Sequence, residues 1–511
     1  MSKNHKIQNS IGIIKNPNLK KMNIKYILLF LLITTSTIGF SQEKPILTLT
    51  LEETIALAQS DAPDVLIAKT RLSNNYWIFK SFEADYKPQI SFNATLPSFN
   101  RTINQVIQPD GSITFTPQSY MFNDANISVT QRVSRTGATV FASTGLERID
   151  FFNNNTKTYL SNPIRVGFSQ PIFGFNSFKW DKKIQPLEFD LAKRGYSENM
   201  EAVATGAAAL FFDVYIAQIS VSAAEKDKAN ADTLYTIAKG RFSVGKIAET
   251  DLLQVEISKM NSDASLAKAT LDLQASTENL RNFLGIKNAV DFDLIPPTSI
   301  PDFNIDVDKA LKYALMNRSE IIAFEQQRLN AERGVAQAIG NNGIDINLSG
   351  QVGFSQTDAT LAGAYTSPLD QERLTLRLSV PIMDWGKAES ERQIAESNLK
   401  LVSMQIEQDR INFEQNIRLR VLQFDLVRVQ AGLAERTYIV SQKNFDITKK
   451  RYLIGKIGVT ELNLAIAEQG KSRKSYMSTL RNFWLAHYEI RRLTLYDFMN
   501  NKELQKEVDF N

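Results

Sequence analysis

Cysteine is missing from all 511 residues, which excludes disulfides, thiolate chemistry and attachment of a lipid through an N-terminal Cys. Histidine occurs only at His5 and His487, too few for a His-based metal site or a catalytic triad. No phosphate-cradling Gly-x-x-x-x-Gly-Lys-Ser/Thr loop is present. Lys246 and Lys456 each follow a glycine but lack that loop. Apolar residues make up 43% of the chain, within the globular range, and no run is long enough for an internal membrane helix. These absences argue against an enzyme, and no cofactor or metal is implied.

An excess of basic charge is also missing once the N-terminus is set aside. Lys20, Lys21 and Lys25 precede the apolar run from Ile27 to Ile33, and Gly39 and Ser41 bracket a cleavage point before Gln42. That is the layout of an export signal over residues 1–41, with Met22 as an alternative start and a membrane anchor as the alternative reading. The segment holds six Lys and no acid, so of 59 basic residues 53 remain against 55 acidic ones, and the net charge moves from +4 to about −2. Nothing in that balance supports a nucleic-acid partner.

What the chain does contain is a repeat. Arg241-Phe242-Ser243-Val244-Gly245-Lys246-Ile247, followed by Thr250-Asp251-Leu252, returns 210 residues later as Arg451-Tyr452-Leu453-Ile454-Gly455-Lys456-Ile457, followed by Thr460-Glu461-Leu462. Each copy sits between long apolar-periodic segments and reads as the turn joining two helices. A second pair of matching stretches, Leu49 to Val65 and Ile305 to Ile321, is offset by 256. Each is a short helix, a polar break and a second helix with an acid, Asp64 or Glu320, in its first turn, where it complements the helix dipole.

Between those markers the apolar period changes from 3.6 to 2. Ile90, Phe92, Ala94 and Leu96 alternate with polar residues, as do Ile164, Val166 and Phe168, then Ile344, Ile346 and Leu348, then Leu374, Leu376, Leu378 and Val380. These are strands with one apolar and one polar face. A sandwich and a lipid-embedded barrel both give that pattern; the scarcity of strands beside very long helices tips it toward the barrel. Each set ends in a proline, Pro171 or Pro381, after which the 210 offset holds without a gap. The 46-residue difference between the offsets therefore falls between Ala94 and Pro171. It includes an extra hairpin within 120–150, turning at Ser134-Arg135-Thr136-Gly137, and an Asn-rich loop from Phe152 to Asn155. Beyond each proline the helices are long: about 60 residues separate Asp181 from the first glycine turn, ~90 Å of helix.

The organisation expected is thus a signal peptide over 1–41, first-repeat helices over 42–86, strands with the extra hairpin over 87–172, and a long helical hairpin over 173–285 with its tip near 243–246. A Pro-bearing linker follows over 286–304. The second repeat then has helices over 305–342, strands over 343–382 and a hairpin over 383–499 with its tip near 453–456. A polar tail, 500–511, is expected at the surface or disordered.

This doubled arrangement resembles the TolC-like outer membrane efflux proteins over essentially the whole mature chain. The residues that carry it are the paired openings, Leu51-Glu52-Glu53-Thr54-Ile55-Ala56-Leu57-Ala58 and Val307-Asp308-Lys309-Ala310-Leu311-Lys312-Tyr313-Ala314, Gln170-Pro171-Ile172 and Val380-Pro381-Ile382, and the paired Arg-aromatic-x-x-Gly-Lys turns. The resemblance implies an α+β membrane protein: a homotrimer whose few strands per chain build one shared β-barrel in the outer membrane, continued by a coiled-coil tunnel in the periplasm. It implies an exit duct of a tripartite efflux or type I secretion system. Its partners would be outer-membrane lipid, a periplasmic membrane-fusion adaptor and an inner-membrane pump of RND, ABC or MFS type. With four spanning strands per chain the trimer has the family's usual twelve, so the extra hairpin is expected outside the membrane.

The resemblance also assigns residues. Val244-Gly245-Lys246 and Ile454-Gly455-Lys456 match the tips that meet the adaptor, with Lys246 and Lys456 standing where the family usually has an apolar residue. Tyr452 and Asp251, with Thr250 beside the acid, match a Tyr–Asp gate link. An Arg partner is replaced by Ile457; Glu461 matches an inward acidic constriction whose second acid is replaced by Leu464. That leaves one gate carboxylate per protomer. For Asp251 and Glu461 the plainer role is that of helix N-terminal acids. The rival functions are a periplasmic coiled-coil scaffold and a constitutively open uptake porin.

Overall fold

A computed structural model of the chain describes residues 45–504 apart from 298, 299 and 302. The export signal over 1–41 and the tail beyond 504 lie outside the described residues. In chain order the first repeat runs β1 (Ile46–Thr50), α1 (Leu51–Asp61), α2 (Pro63–Asp85), β2 (Gln89–Ile107), β3 (Ile113–Val133), β4 (Ala138–Phe151), β5 (Thr156–Pro171), α3 (Ser177–Ser243) and α4 (Glu249–Phe283). After β6 (Asp291–Ile295) come α5 (Val307–Asn317), α6 (Ser319–Asn342), β7 (Asp345–Asp358), β8 (Leu369–Ser379), α7 (Lys387–Leu453) and α8 (Val459–Thr494), then the short strands β9 (Tyr496–Asp497) and β10 (Lys502–Glu503).

The duplication is visible residue for residue. α3 and α7 are each 67 residues long and begin and end 210 positions apart; at 1.5 Å per residue each is ~100 Å of helix. α1 starts from Thr50, whose hydroxyl accepts from the Glu53 amide while the Glu53 carboxylate accepts from the Thr50 amide, 2.8 Å. That reciprocal cap satisfies two otherwise orphaned donors. At the equivalent position in the second repeat, Asp306 caps α5 by accepting from the Lys309 amide at 2.7 Å.

The main core sits where the two repeats meet, around the middle of α3. Ala204, Ala207 and Ala208 are fully buried and let neighbouring helices approach, while Phe211, Phe212, Phe424 and Phe483 fill the space between them. By length and composition this part of α3 would qualify as a membrane span, contrary to the sequence reading that no such run exists. Its apolar residues instead pack against α1, α4 and α8.

The segment read as a plain linker carries β6, which pairs in parallel with β1 from Ile46↔Asp291 to Thr50↔Ile295. Phe292 and Leu294 alternate into the core and tie the start of each repeat to the other. The beginning of the tail also has structure: β10 pairs with β9, though Lys502 and Glu503 are exposed.

Six strands form a single antiparallel sheet in the order β2-β3-β4-β5-β7-β8. The extra hairpin, β3–β4, is inside that sheet between β2 and β5, paired with β2 across one register shift at Thr95/Ser98 and with β5 across another at Ser143/Gly145. Registered pairs put Phe92, Ile127, Ala142, Val166, Val352 and Leu376 on one face, and the polar alternates Asn93, Ser128, Ser143, Arg165, Gln351 and Arg377 on the other. Phe92, Val352 and Leu376 are more than half exposed. The apolar face is therefore bare, which rules out the sandwich, in which a second sheet would cover it. The hairpin carries the same apolar face as its neighbours, so nothing in its chemistry sets it apart as extramembrane.

Candidate functional site: the paired glycine turns

Below the core, the four long helices lie side by side in the order α4-α3-α8-α7. Val244 caps the C-terminus of α3, and Gly245 then adopts φ +69°; Ile454 caps α7, and Gly455 adopts φ +74°. In each turn the amide after the glycine reaches back to the last full helical turn: Lys246 N–H to Arg241 C=O, 2.8 Å, and Lys456 N–H to Arg451 C=O, 3.0 Å. With Gly245 and Gly455 donating to Phe242 and Tyr452 carbonyls at 2.9 Å, both are Schellman caps, which need the left-handed conformation that glycine adopts without strain. A Cβ at either glycine would meet no atom within 4 Å. Backbone conformation alone, within this chain, requires glycine there.

The turns present an exposed apolar residue and a lysine each. Val244 and Ile454 are about two-thirds exposed, and Lys246 and Lys456 are exposed beside them. Just behind, a second small core joins the two tips: Leu234, Ala238, Val255, Tyr452, Val459 and Leu462 are buried together, flanked by Ile247 and Ile457. It is separate from the main core. Between the two cores the four helices surround a cleft of about 690 Å³ rimmed by Asp227, Asn230, Lys449 and Arg473.

Tyr452 is buried, but its ring lies under the Arg241 guanidinium, 5.2 Å from centroid to Cζ. Arg241 also donates to the Tyr452 and Leu453 carbonyls at 3.5 and 3.4 Å, capping the end of the opposite hairpin's helix. Among the described residues no hydrogen bond joins Tyr452 to Asp251. Asp251 is half-buried in the first turn of α4, and Thr250 is exposed. Glu461 is exposed, and its carboxylate accepts from the Gly458 amide at 3.0 Å, completing the N-terminus of α8. The chain itself thus places Glu461 as a cap, and the residue that sequence reasoning missed is Arg241. Its signal was present, since Arg heads both copies of the turn motif, but spacing cannot say that the Arg of one copy covers the aromatic of the other.

Polar links also cross between helices above the tip. Lys449 donates to Asn230 at 2.7 Å, and Arg473 pairs with Asp227 at 3.4 Å. Lys228 and Lys259 reach Asp263 and Asp232 at 2.6 and 2.7 Å. Both lysines have raised pKa values from those hydrogen bonds, and Asp263 is lowered by its bond to Lys228. These pairs are solvent-exposed and register the helices more than they stabilise them.

The model for outer membrane efflux proteins matches residues 124–286 and 310–493, the greater part of both repeats. The chain belongs to the outer membrane efflux protein family. Membership makes it an efflux-type channel of the outer membrane rather than an enzyme. No curated protein matches it by sequence. Solved structures with the same fold include the Campylobacter jejuni CmeC outer membrane channel, TM-score 0.63 at 14% identity, covering 89% of this chain and 87% of that one. The Vibrio cholerae outer membrane protein VceC gives 0.60 at 13%, covering 87% and 95%. The open state of the Neisseria gonorrhoeae MtrE outer membrane channel gives 0.59 at 12%, covering 89% and 91%. Within the family fold, the paired turns are the end of the helical layer farthest from the sheet.

Proposed function

We propose that three copies of the chain form a passive exit duct, which takes substrate from an adaptor-coupled inner-membrane pump and is gated by spreading of the helix tips. The observation that carries the tip assignment is the pair of left-handed glycine turns presenting Val244 and Ile454 to solvent with nothing packed on them. Assembly is supported by the outer helices of the layer. α4 leaves Leu253, Ile257, Met260 and Leu271 exposed, and α7 leaves Ile394, Leu401, Leu422 and Val429 exposed. Both sets follow coiled-coil spacing, as unpaired helices awaiting a neighbour would.

In this reading the tip core is the lock. Arg241 over Tyr452 holds the two hairpins together, and Asp251, Thr250 and Glu461 line the first turns of the returning helices beside it. Adaptor binding at Val244-Gly245-Lys246 and Ile454-Gly455-Lys456 favours the spread state. The pump, of RND, ABC or MFS type, supplies the energy.

The test is conductance of the purified protein in planar bilayers. The wild type should conduct poorly, and Arg241→Gln and Tyr452→Ala should each raise conductance several-fold, with Asp251→Ala as a third arm. Unchanged conductance in all three would refute the lock. Single cysteines at Val244 and Ile454 should crosslink to a co-expressed adaptor with no native thiol interfering; reaction only from positions high on α3 would refute the tip contact.

A further inference from the structure

The six-stranded sheet ends in two unpaired edges, β2 and β8. In lipid an open edge cannot persist, because its amides and carbonyls have no water to bond. Resting on the three-copy assembly proposed above, we infer that β8 of each copy pairs with β2 of the next, closing an eighteen-stranded barrel in the register that joins β5 to β7 inside the chain.

Strand direction permits the joint. Neighbouring strands are antiparallel throughout, and β2 and β8 are separated by an even number of strands, so the two edges run in opposite directions. A seam between copies is then antiparallel like every other pair. Three chains of six strands also give the even total that closed antiparallel barrels need.

The duplication supplies the register. β5 is the last strand of the first repeat and β7 the first strand of the second; β8 and the next copy's β2 stand in the same relation. Within the chain Pro171 opposes Asn347, Phe168 opposes Gly350 and Val166 opposes Val352. Moving the first partner by 210 and the second by 256 sets Pro381 against Ser91, Leu378 against Ala94 and Leu376 against Leu96. Extending the ladder at its inner end sets Val380 against Phe92 and Ile382 against Ile90. From Ile382 to Leu376, up to the register shift of β2 between Thr95 and Ser98, each of these apolar-face pairs is apolar against apolar. Those side chains are bare in the single chain: Ile90 is 75% exposed, Leu378 60% and Ile382 97%. A slip of one residue would turn the apolar set of one strand to the polar face of the other.

The strand number follows from the position of the extra hairpin. β3 and β4 lie between β2 and β5, so a twelve-stranded barrel would have to break seventeen registered pairs of β2 with β3 and twelve of β4 with β5, then rejoin β2 to β5. The hairpin also contributes Ile127, Val129, Val140 and Ala142 to the apolar band. Barrels of sixteen to eighteen strands leave an open aqueous bore, so the exit of this duct is wide and any closure lies at the helix tips.

Crosslinking of the full-length trimer tests the seam. Directly opposed residues have Cα atoms ~4.5–5.5 Å apart, within disulfide range. The double variant Ala94→Cys/Leu378→Cys, and its neighbour Asn93→Cys/Ser379→Cys, should give covalent dimers and trimers on oxidation. Ala94→Cys/Leu376→Cys, displaced by two residues or about 6.6 Å, should give several-fold less. A stable trimer in which the displaced pair crosslinks best, or none does, overturns the seam and leaves the trimer standing. A detergent-solubilised monomer would overturn the trimer itself. For the strand count, cysteines at Ile127 and Val140 should resist a membrane-impermeant maleimide in intact outer membranes and react once detergent is added. Reaction before detergent places the hairpin in water and overturns the eighteen-stranded barrel.

Discussion

Gly245 and Gly455 offer a clean separation of fold from contact. Each has a left-handed backbone and open space where a Cβ would go, so Ala should cost about 1 kcal/mol per turn through backbone strain, and Asn, which tolerates that conformation, should cost less. Thermal unfolding of the detergent-solubilised protein reads the difference. Adaptor crosslinking that fails with Asn at an intact fold would mean that the adaptor backbone approaches the glycine closely. Deeper in the molecule, Arg491 bridges buried Glu201 at 3.1 Å and Asp497 at 3.3 Å. Arg491→Ala strands two buried carboxylates and should cost about 3–5 kcal/mol, seen as a lowered unfolding midpoint; Glu201→Gln should cost less. His487 sits against the same cluster, its pKa pushed down to about 4 by burial and secondarily by Arg491. Among the described residues its Nε2 has no hydrogen-bond partner. A pKa depressed below the unfolded value of about 6.5 means that the folded state resists protonation. Stability should therefore fall as pH drops from about 6.5 toward 4, and His487→Phe should flatten that slope in unfolding scans. At this scale the sequence was legible for backbone demands, since a glycine in a repeated turn announces its φ. Partnerships across repeats, such as Arg241 with Tyr452, depend on helix rotation and were not.

At the scale of elements, periodicity was a good guide wherever an element had one bare or buried face. The two 67-residue helices and the alternating strands follow directly from it. It failed for β6, a five-residue strand shortly followed by Pro296 and Pro297, whose composition resembles a connector and whose order comes from pairing with β1, over 240 residues earlier. For the extra hairpin, periodicity gives the strands and their apolar face but not whether they lie in lipid. The sheet's polar face has a consequence of its own. If the apolar face meets lipid, the residues alternating with it line the bore, and along that band the charged ones are Arg132, Arg165, Arg373 and Arg377, with Asp345 as the acid at the inner end. Asp124 and Glu147 share the polar face nearer the loop end. The bore should prefer anions. Reversal potentials across a salt gradient should shift toward neutrality, or to cation preference, when all four arginines become Gln; no shift would mean that they do not face the pore.

At the scale of the molecule, the duplication has given one chain two nearly equivalent halves, and in the proposed assembly the open edges of one copy, helical and sheet alike, meet those of the next. That is why so much of the assembly can be argued from a single copy. One asymmetry remains. β2 and β3 continue for seven paired residues past the row where β4 ends, from Arg101↔Ser119 to Ile107↔Ile113, about 23 Å at ~3.3 Å per residue. The ribbon ends in the tight turn around Asp110 and Gly111, where a Cβ on Gly111 would touch nothing. In a living cell this stalk would stand clear of the lipid headgroups, the outermost reach of the protein. A short epitope spliced between Asp110 and Gly111 should leave export untouched while letting antibody stain intact, unpermeabilised bacteria, so each duct could be counted from outside.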